Sequence, residues 1–284
     1  MKPDMDERFR EAQAAIHDAN LVLFESLLAG DPGLATARSR CSHPTLLQCL
    51  VLTSCEQPHL EASIRALAEH GAELTDPLIA ACGVDNVRAA AALLELGADI
   101  EGNGKWSPLE EALYWGSRKA LDLLLSRGAA IDSLRKGAGV GRTDYLDRCF
   151  TESGELTEAA GCVRWPWFDK PIPDAIRFDR QQIVDNALVY AAAWCRIDAA
   201  NVLITHGANV NTRPAGFDFT GTPLHYAALN GRWKMTTFLL EHGADPAARD
   251  GKVDNTPDGW AKHGGHQELA EHLESVRTER GAGG

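Results

Sequence analysis

A short phrase recurs along the chain: LAEHGAE at 67–73, LLELGAD at 93–99, LLSRGAA at 124–130, LITHGAN at 203–209 and LLEHGAD at 239–245. Its first glycine falls at Gly71, Gly97, Gly128, Gly207 and Gly243, in steps of 26, 31, 79 and 36 residues. Upstream of the later four lie the alanine-rich segments DPLIAACGVD, SPLEEALYWG, NALVYAAAWC and TPLHYAALNG. Self-similarity at this spacing means units that cannot bury their apolar face alone and must stack on one another. The step of 79 is too long for one unit and holds two with extra chain.

The clearest copy, TPLHYAALNGRWKMTTFLLEHGAD at 222–245, explains its own spelling. Thr222 can cap a helix, and Pro223 sits at the first helical position, where its missing N–H is harmless. Ala227 and Ala228 allow close approach of neighbouring helices, and Gly231 tolerates the left-handed conformation that ends the helix. Phe238, Leu239 and Leu240 form the inner stripe of a second helix, which Gly243 ends. Together TPLHYAA, the following Gly and LLEHGAD resemble the ankyrin repeat, whose period is about 33 residues. The resemblance implies an all-α, ankyrin-repeat solenoid of about eight helix-turn-helix repeats with one long insertion. It also implies that His225 makes interhelical hydrogen bonds and does no chemistry.

Extending the frame places an N-terminal capping copy at 9–39, a second copy at 44–74, and a fifth at 134–150 (LRKGAGVGRTDYLDRCF) that has almost lost its hairpin. The eighth, at 256–276, has the polar outer residues of a solvent-facing cap. A single ankyrin-repeat domain over 1–276 is expected, with an insertion at 151–184 between copies five and six and a flexible tail at 277–284. Trp165, Trp167, Phe168, Ile172, Ile176 and Phe178 make that insertion too apolar for a disordered linker, while Pro166, Pro171 and Pro173 prevent a continuous helix. An ordered flap is expected, with Asp179 capping the helix that re-enters the repeat frame.

Forty acidic against twenty-eight basic residues give a net charge of −12. That disfavours nucleic acid as the main ligand, because such binding leans on clustered Lys and Arg. A charged N-terminus and the lack of a long apolar run argue for a cytoplasmic chain without a membrane span. Cys41, Cys49, Cys55, Cys82, Cys149, Cys162 and Cys195 form no C-x-x-C pair and read as buried, reduced thiols. No metal or cofactor is expected, and no catalytic signature is present: KGAGVGR at 136–142 resembles a phosphate loop only in composition.

The resemblance implies that a partner meets the concave face, at hairpin tips and at the two variable positions before each first-helix Gly. Those pairs are Gly83 and Val84, Tyr114 and Trp115, Gly139 and Val140, Ala193 and Trp194, Leu229 and Asn230, and His263 and Gly264. Large aromatics are typical anchors of binding hot spots. Tyr114, Trp115 and Trp194 are therefore the expected centre, bordered by Asn230, by Phe217, Asp218 and Phe219 in an extended 213–221 finger, and by Trp165 and Trp167 of the insertion. The expected function is a non-catalytic protein–protein interaction scaffold. The alternative is a small-molecule-binding protein or enzyme with a Trp-lined pocket closed by insertion and finger, using Asp169, Asp174, Asp179 or Asp218 with Arg164 or Arg177.

Overall fold

The computed structural model describes residues 7–39, 45–53, 56–165 and 172–282. Among these residues all regular structure is helical, apart from one isolated antiparallel bridge between Phe150 and Leu156. The chain divides into two compact units, residues 1–130 and 131–284.

Among its described residues the N-terminal unit holds eight α-helices: α1 (Glu7–His17), α2 (Leu21–Gly30), α3 (Leu46–Thr53), α4 (Leu60–Glu69), α5 (Thr75–Gly83), α6 (Val87–Glu95), α7 (Pro108–Trp115) and α8 (Arg118–Ser126). They alternate as first and second helices of hairpins. First helices α1, α3, α5 and α7 pack in that order, and second helices α2, α4, α6 and α8 do the same alongside. Leu46, Leu47, Leu50, Leu78, Leu93, Leu113 and Leu124 fill the layer between the two rows. Truncating one such leucine to alanine typically costs about 2–5 kcal/mol, through lost transfer energy and the cavity left behind.

The C-terminal unit continues with α9 (Leu134–Val140), α10 (Thr143–Arg148), α11 (Asp174–Arg177), α12 (Arg180–Ala193), α13 (Ile197–Thr205), α14 (Pro223–Leu229), α15 (Trp233–Glu241), α16 (Pro257–His263) and α17 (Gln267–Ala282). Here α9, α12, α14 and α16 form the first-helix row, and α10, α13 and α15 the second. The fifth copy consists of the two short helices α9 and α10 packed together. The stretch expected as a flexible tail instead extends α17 to Ala282, where Arg280 donates to the carbonyls of Ala244 and Leu240 at 3.0 and 3.2 Å.

Register follows from backbone sign. The five phrase glycines have φ of +83°, +94°, +86°, +89° and +87°, a region open to glycine and strained for other residues. The residue after each variable pair is also left-handed, even where it is Asp85 (φ 55°) or Cys195 (φ 56°). A second recurring device lies one residue further on. Asn86 and Ser117 donate their side chains to the carbonyls of Val51 and Gly83, at 2.8 and 3.0 Å. Arg196 and Arg232 do the same to Gly139 and Ala193, at 3.1 and 3.0 Å. Each bracket ties the start of a second helix to the end of the preceding copy's first helix, satisfying a carbonyl the helix leaves open.

The described parts of the insertion are ordered and packed. A 3-10 turn spans Glu158–Ala160, and Ala160 and Val163 join the core of the unit with Phe150, Val184 and Leu188. Val163 N–H donates to the Arg177 carbonyl at 2.9 Å, joining the two limbs, and Arg135 donates to the Cys162 carbonyl. Asp179 caps α12, accepting from Gln182 N–H at 2.8 Å. Residues 180–184 form the beginning of α12, so the inserted chain ends at Asp179.

Candidate functional site

In the N-terminal unit the candidate site grows from the turn before α7. Asn103 Oδ1 accepts the N–H groups of Lys105 and Trp106 at 3.0 and 3.1 Å, and its Nδ2 donates to Asp76 at 2.9 Å. This turn carries Trp106 inward, leaving it 2% exposed. Ser107 and Glu110 then form a reciprocal capping box, with bonds of 3.2 and 2.9 Å, and Pro108 opens the helix. One turn on, the Glu111 carboxylate accepts Trp106 Nε1–H at 2.6 Å and Trp115 Nε1–H at 2.9 Å. One carboxylate thus fixes two indoles, one interior and one 52% exposed.

Tyr114 completes the group, edge-on to Trp115 at 5.2 Å and to Trp106 at 6.4 Å between ring centroids. Gly83 at the end of α5 is what lets them in: a Cβ there would lie 2.8 Å from Glu111 Oε1 and 3.3 Å from Trp115 Cδ1. Val84 beside it is exposed. Burial raises the Glu111 pKa above the ordinary carboxylate range, and the two indole donors pull partly against that. Burial, with the nearby Glu111 and Asp85 carboxylates, also keeps the Cys82 thiol protonated.

The C-terminal unit holds the other expected site residues in a different state. Trp194 and Phe217 are each only 4% exposed, so these two rings offer no anchor surface. Phe217 lies between Tyr190 and Tyr226, at 5.1 and 5.0 Å. The finger is pinned there by its backbone: the Ala215 carbonyl accepts Asn186 Nδ2–H at 2.8 Å, and Ala215 N–H donates to Gln182 at 2.9 Å. A longer hairpin tip thus folds back onto first helices α12 and α14. Phe219 remains exposed, with Lys252 Nζ 4.2 Å from its ring centroid and paired with Asp218 at 2.5 Å. Asn230 donates to the Tyr226 carbonyl of its own helix at 2.8 Å. Trp165 is partly buried, with no hydrogen-bond partner for its indole N–H; Trp167 and Asp169 lie outside the described residues.

Three members of the acid–base group considered for an enclosed pocket have structural partners. Asp179 is a helix cap, Asp218 pairs with Lys252, and Arg177 donates to Cys162 Sγ at 3.3 Å. His225 is structural. Its Nδ1 accepts Thr222 N–H at 3.1 Å and its Nε2 meets the Asn255 carbonyl at 3.1 Å, the pattern of a neutral ring protonated at Nε2. Burial lowers its pKa.

Sequence reading missed Glu111 and Trp106. The signal for Glu111 was its place one helical turn before Trp115, where an i,i+4 pair shares a face. Trp106 could be read only as an apolar residue ahead of a cap.

These are stacked helical-hairpin repeats with left-handed glycines at fixed positions. Residues 176–250 match the family model described as Ankyrin repeats (3 copies), and the helical hairpins there are ankyrin repeats. Similar proteins include human palmitoyltransferase ZDHHC13, 35% identical over 103 residues, which cover 36% of this chain and 14% of that protein. Palmitoyltransferase ZDHHC17 of Danio rerio is 32% identical over 129 residues, covering 45% and 18%. Human ARF GTPase-activating protein GIT2 is 41% identical over 58 residues, covering 20% and 8%. The matched stretches therefore span less than a fifth of each relative. The crystal structure of the human ASB11 ankyrin repeat domain is similar over 92% of this chain and 96% of that one, with 19% identity and a TM-score of 0.41. Ankyrin repeats are in general protein-interaction modules. No helix among the described residues is long and apolar enough to cross a membrane.

Proposed function

We propose that this chain is a non-catalytic interaction scaffold, and that it engages a partner protein through the first-helix face of its N-terminal unit, centred on Trp115 and Tyr114. The observation that carries this is the Trp115 indole: half exposed, yet held rigid by Glu111. A solvent-facing tryptophan with no task would have no need of a fixed orientation, whereas a preorganised aromatic anchor loses little entropy on binding. Val84 extends the apolar surface on the neighbouring copy. In the C-terminal unit the finger already covers part of the corresponding face, leaving Phe219 with Asp218 and Lys252 as its outer edge.

Cys82 and Cys149 are buried thiols, which supports a reducing, cytoplasmic setting for such a scaffold. The test is quantitative capture of partners from the native cell by wild-type and Trp115→Ala protein side by side. Partners retained by the wild type and lost by a folded Trp115→Ala variant are expected. An identical set captured with equal affinity would remove the N-terminal face from the reading.

A further inference from the structure

Two asparagines of the chain precede a glycine, Asn103 before Gly104 and Asn230 before Gly231. Asparagine is chemically labile, most of all before glycine, whose amide no side chain shields. The fold treats the two pairs in opposite ways. Asn230, half-buried at the end of α14, turns its side chain backwards, with Nδ2 donating to the Tyr226 carbonyl at 2.8 Å. Its glycine is held as well: Gly231 N–H donates to the Ala228 carbonyl at 3.1 Å, and a Cβ there would lie 2.6 Å from the His266 ring. Asn103 stands on the exposed tip between α6 and α7 and turns its side chain forwards, Oδ1 accepting the N–H groups of Lys105 and Trp106. Its carboxamide therefore leans over the intervening Gly104 peptide. Gly104 is exposed at φ +79°, with open space where a side chain would be, and among the described residues its N–H has no acceptor.

We propose that Asn103 is a modification site, where the chain deamidates itself, and that the change loosens the turn that carries Trp106. The Gly104 nitrogen gives its proton to hydroxide and bonds to Asn103 Cγ. Negative charge that develops on Oδ1 is met by the Lys105 and Trp106 N–H groups, and backbone donors so placed favour the addition. The Cγ–Nδ2 bond then breaks, and Nδ2 takes a proton from water and leaves as ammonia. Water opens the cyclic imide at one carbonyl or the other, leaving aspartate or isoaspartate.

Both products disturb the tip. Asn103 Nδ2 donates to Asp76 at 2.9 Å; once it is gone, two carboxylates face each other where a bond tied consecutive copies, and like charges at that range repel. Isoaspartate also lengthens the main chain by a methylene, in a turn where Gly102 already lies against the Trp106 carbonyl with no room for a Cβ. Because Trp106 Nε1–H helps to orient Glu111, the disturbance reaches the pair of Glu111 and Trp115. Any effect on partner binding rests on the docking face proposed above; the reaction at Asn103 does not.

The test holds the full-length protein in mildly alkaline buffer and follows amide and acid at each asparagine by peptide mass spectrometry, with an isoaspartate-specific methyltransferase to label the isomer. In the folded protein Asn103 is expected to convert about tenfold faster than Asn230, the factor set by opening the hydrogen bond that holds the Gly231 amide. In urea the two rates should draw together. A folded Asn103 no faster than Asn230 would overturn the site, and a gap that persists undiminished in urea would trace the difference to local sequence and overturn the part given to the fold. Nitrogen–proton correlation spectra, with Trp115 assigned through Trp115→Phe, read the consequence. The Trp106 and Trp115 indole signals are expected to move in converted protein and in Asn103→Asp, and unmoved signals would overturn the loosened turn. Neither readout uses a partner, so failure of the docking face, seen as unchanged capture by Trp115→Ala, would leave both results standing.

Discussion

Trp260 donates its indole N–H to Asp250 at 2.9 Å, across the tip of the last hairpin. The same carboxylate accepts the backbone N–H groups of Lys252, Val253 and Asn255, at 2.8, 2.7 and 3.1 Å. One side chain therefore shapes the whole turn. Burial pushes the Asp250 pKa up, but the four donors outweigh it and the group falls to about 2. Its folded pKa is below the unfolded value, so its contribution is fully present above pH 4 and disappears as pH falls from about 4 towards 2. Thermal melts should show Asp250→Asn less stable than wild type by about 2 kcal/mol at pH 7. The gap should narrow between pH 4 and pH 2, and a constant gap would count against the assignment.

His225 supplies a second titration at milder pH. Burial lowers its pKa, so the folded state holds the neutral ring while the unfolded chain takes up a proton near pH 6.5. Below that pH the unfolded state binds more protons, and stability must fall as pH drops. Wild type should lose more melting temperature than His225→Gln between pH 7.5 and pH 5.5. Parallel curves would show that the ring is not held neutral.

Removing Trp115 should separate binding from folding. Because the ring is half exposed, Trp115→Ala should change stability little, whereas loss of an anchor typically weakens binding by about 2 kcal/mol or more. Gly83→Ala should mimic the effect without removing an aromatic side chain, since the added methyl crowds Glu111 and Trp115. Calorimetric titration with a captured partner would compare the two.

The side-chain brackets between copies should each matter modestly. Ser117→Ala and Arg196→Ala delete bonds to Gly83 and Gly139 and should cost about 1 kcal/mol and somewhat more, respectively, by urea denaturation. The arginine carries charge and so makes the stronger bond.

In the insertion, the Val163 amide bonded to Arg177 and the near-total burial of the Val163 side chain predict slow hydrogen exchange and resistance to proteases across 158–163. Rapid cleavage there in the free protein would contradict an ordered segment.

Much of the fold was legible because backbone sign is spelled in glycine. The residues at Gly71, Gly97, Gly128, Gly207 and Gly243, all left-handed, set the frame, and the cap at Asp179 was readable from its place before RQQIV. The side-chain brackets were not, since Asn, Ser and Arg share no pattern beyond their position. The site was half legible. Variable positions pointed to Trp115, which is exposed, and equally to Trp194, which is not. No local rule distinguishes the two, because both stand at the same variable position before a left-handed residue. Likewise Glu111 looked like an ordinary surface acid, and only its simultaneous bonds to two indoles give it a role.

Helix α12 is buried along every residue from Ile183 to Ala192, and packs against α9 on one side and α14 on the other. For a chain made from its N-terminus, that has a consequence in time. When residue 193 leaves the ribosome, α9 is present but α14, which ends at Leu229, is still 36 residues from completion, a delay of a few seconds at ordinary rates of synthesis. During that interval one flank of this deeply buried helix stands open to solvent. The finger that later covers Tyr190 belongs to the same late stretch, so a nascent-chain chaperone would find its target at α12, and a pause in translation just after residue 193 would be more hazardous than one after residue 229.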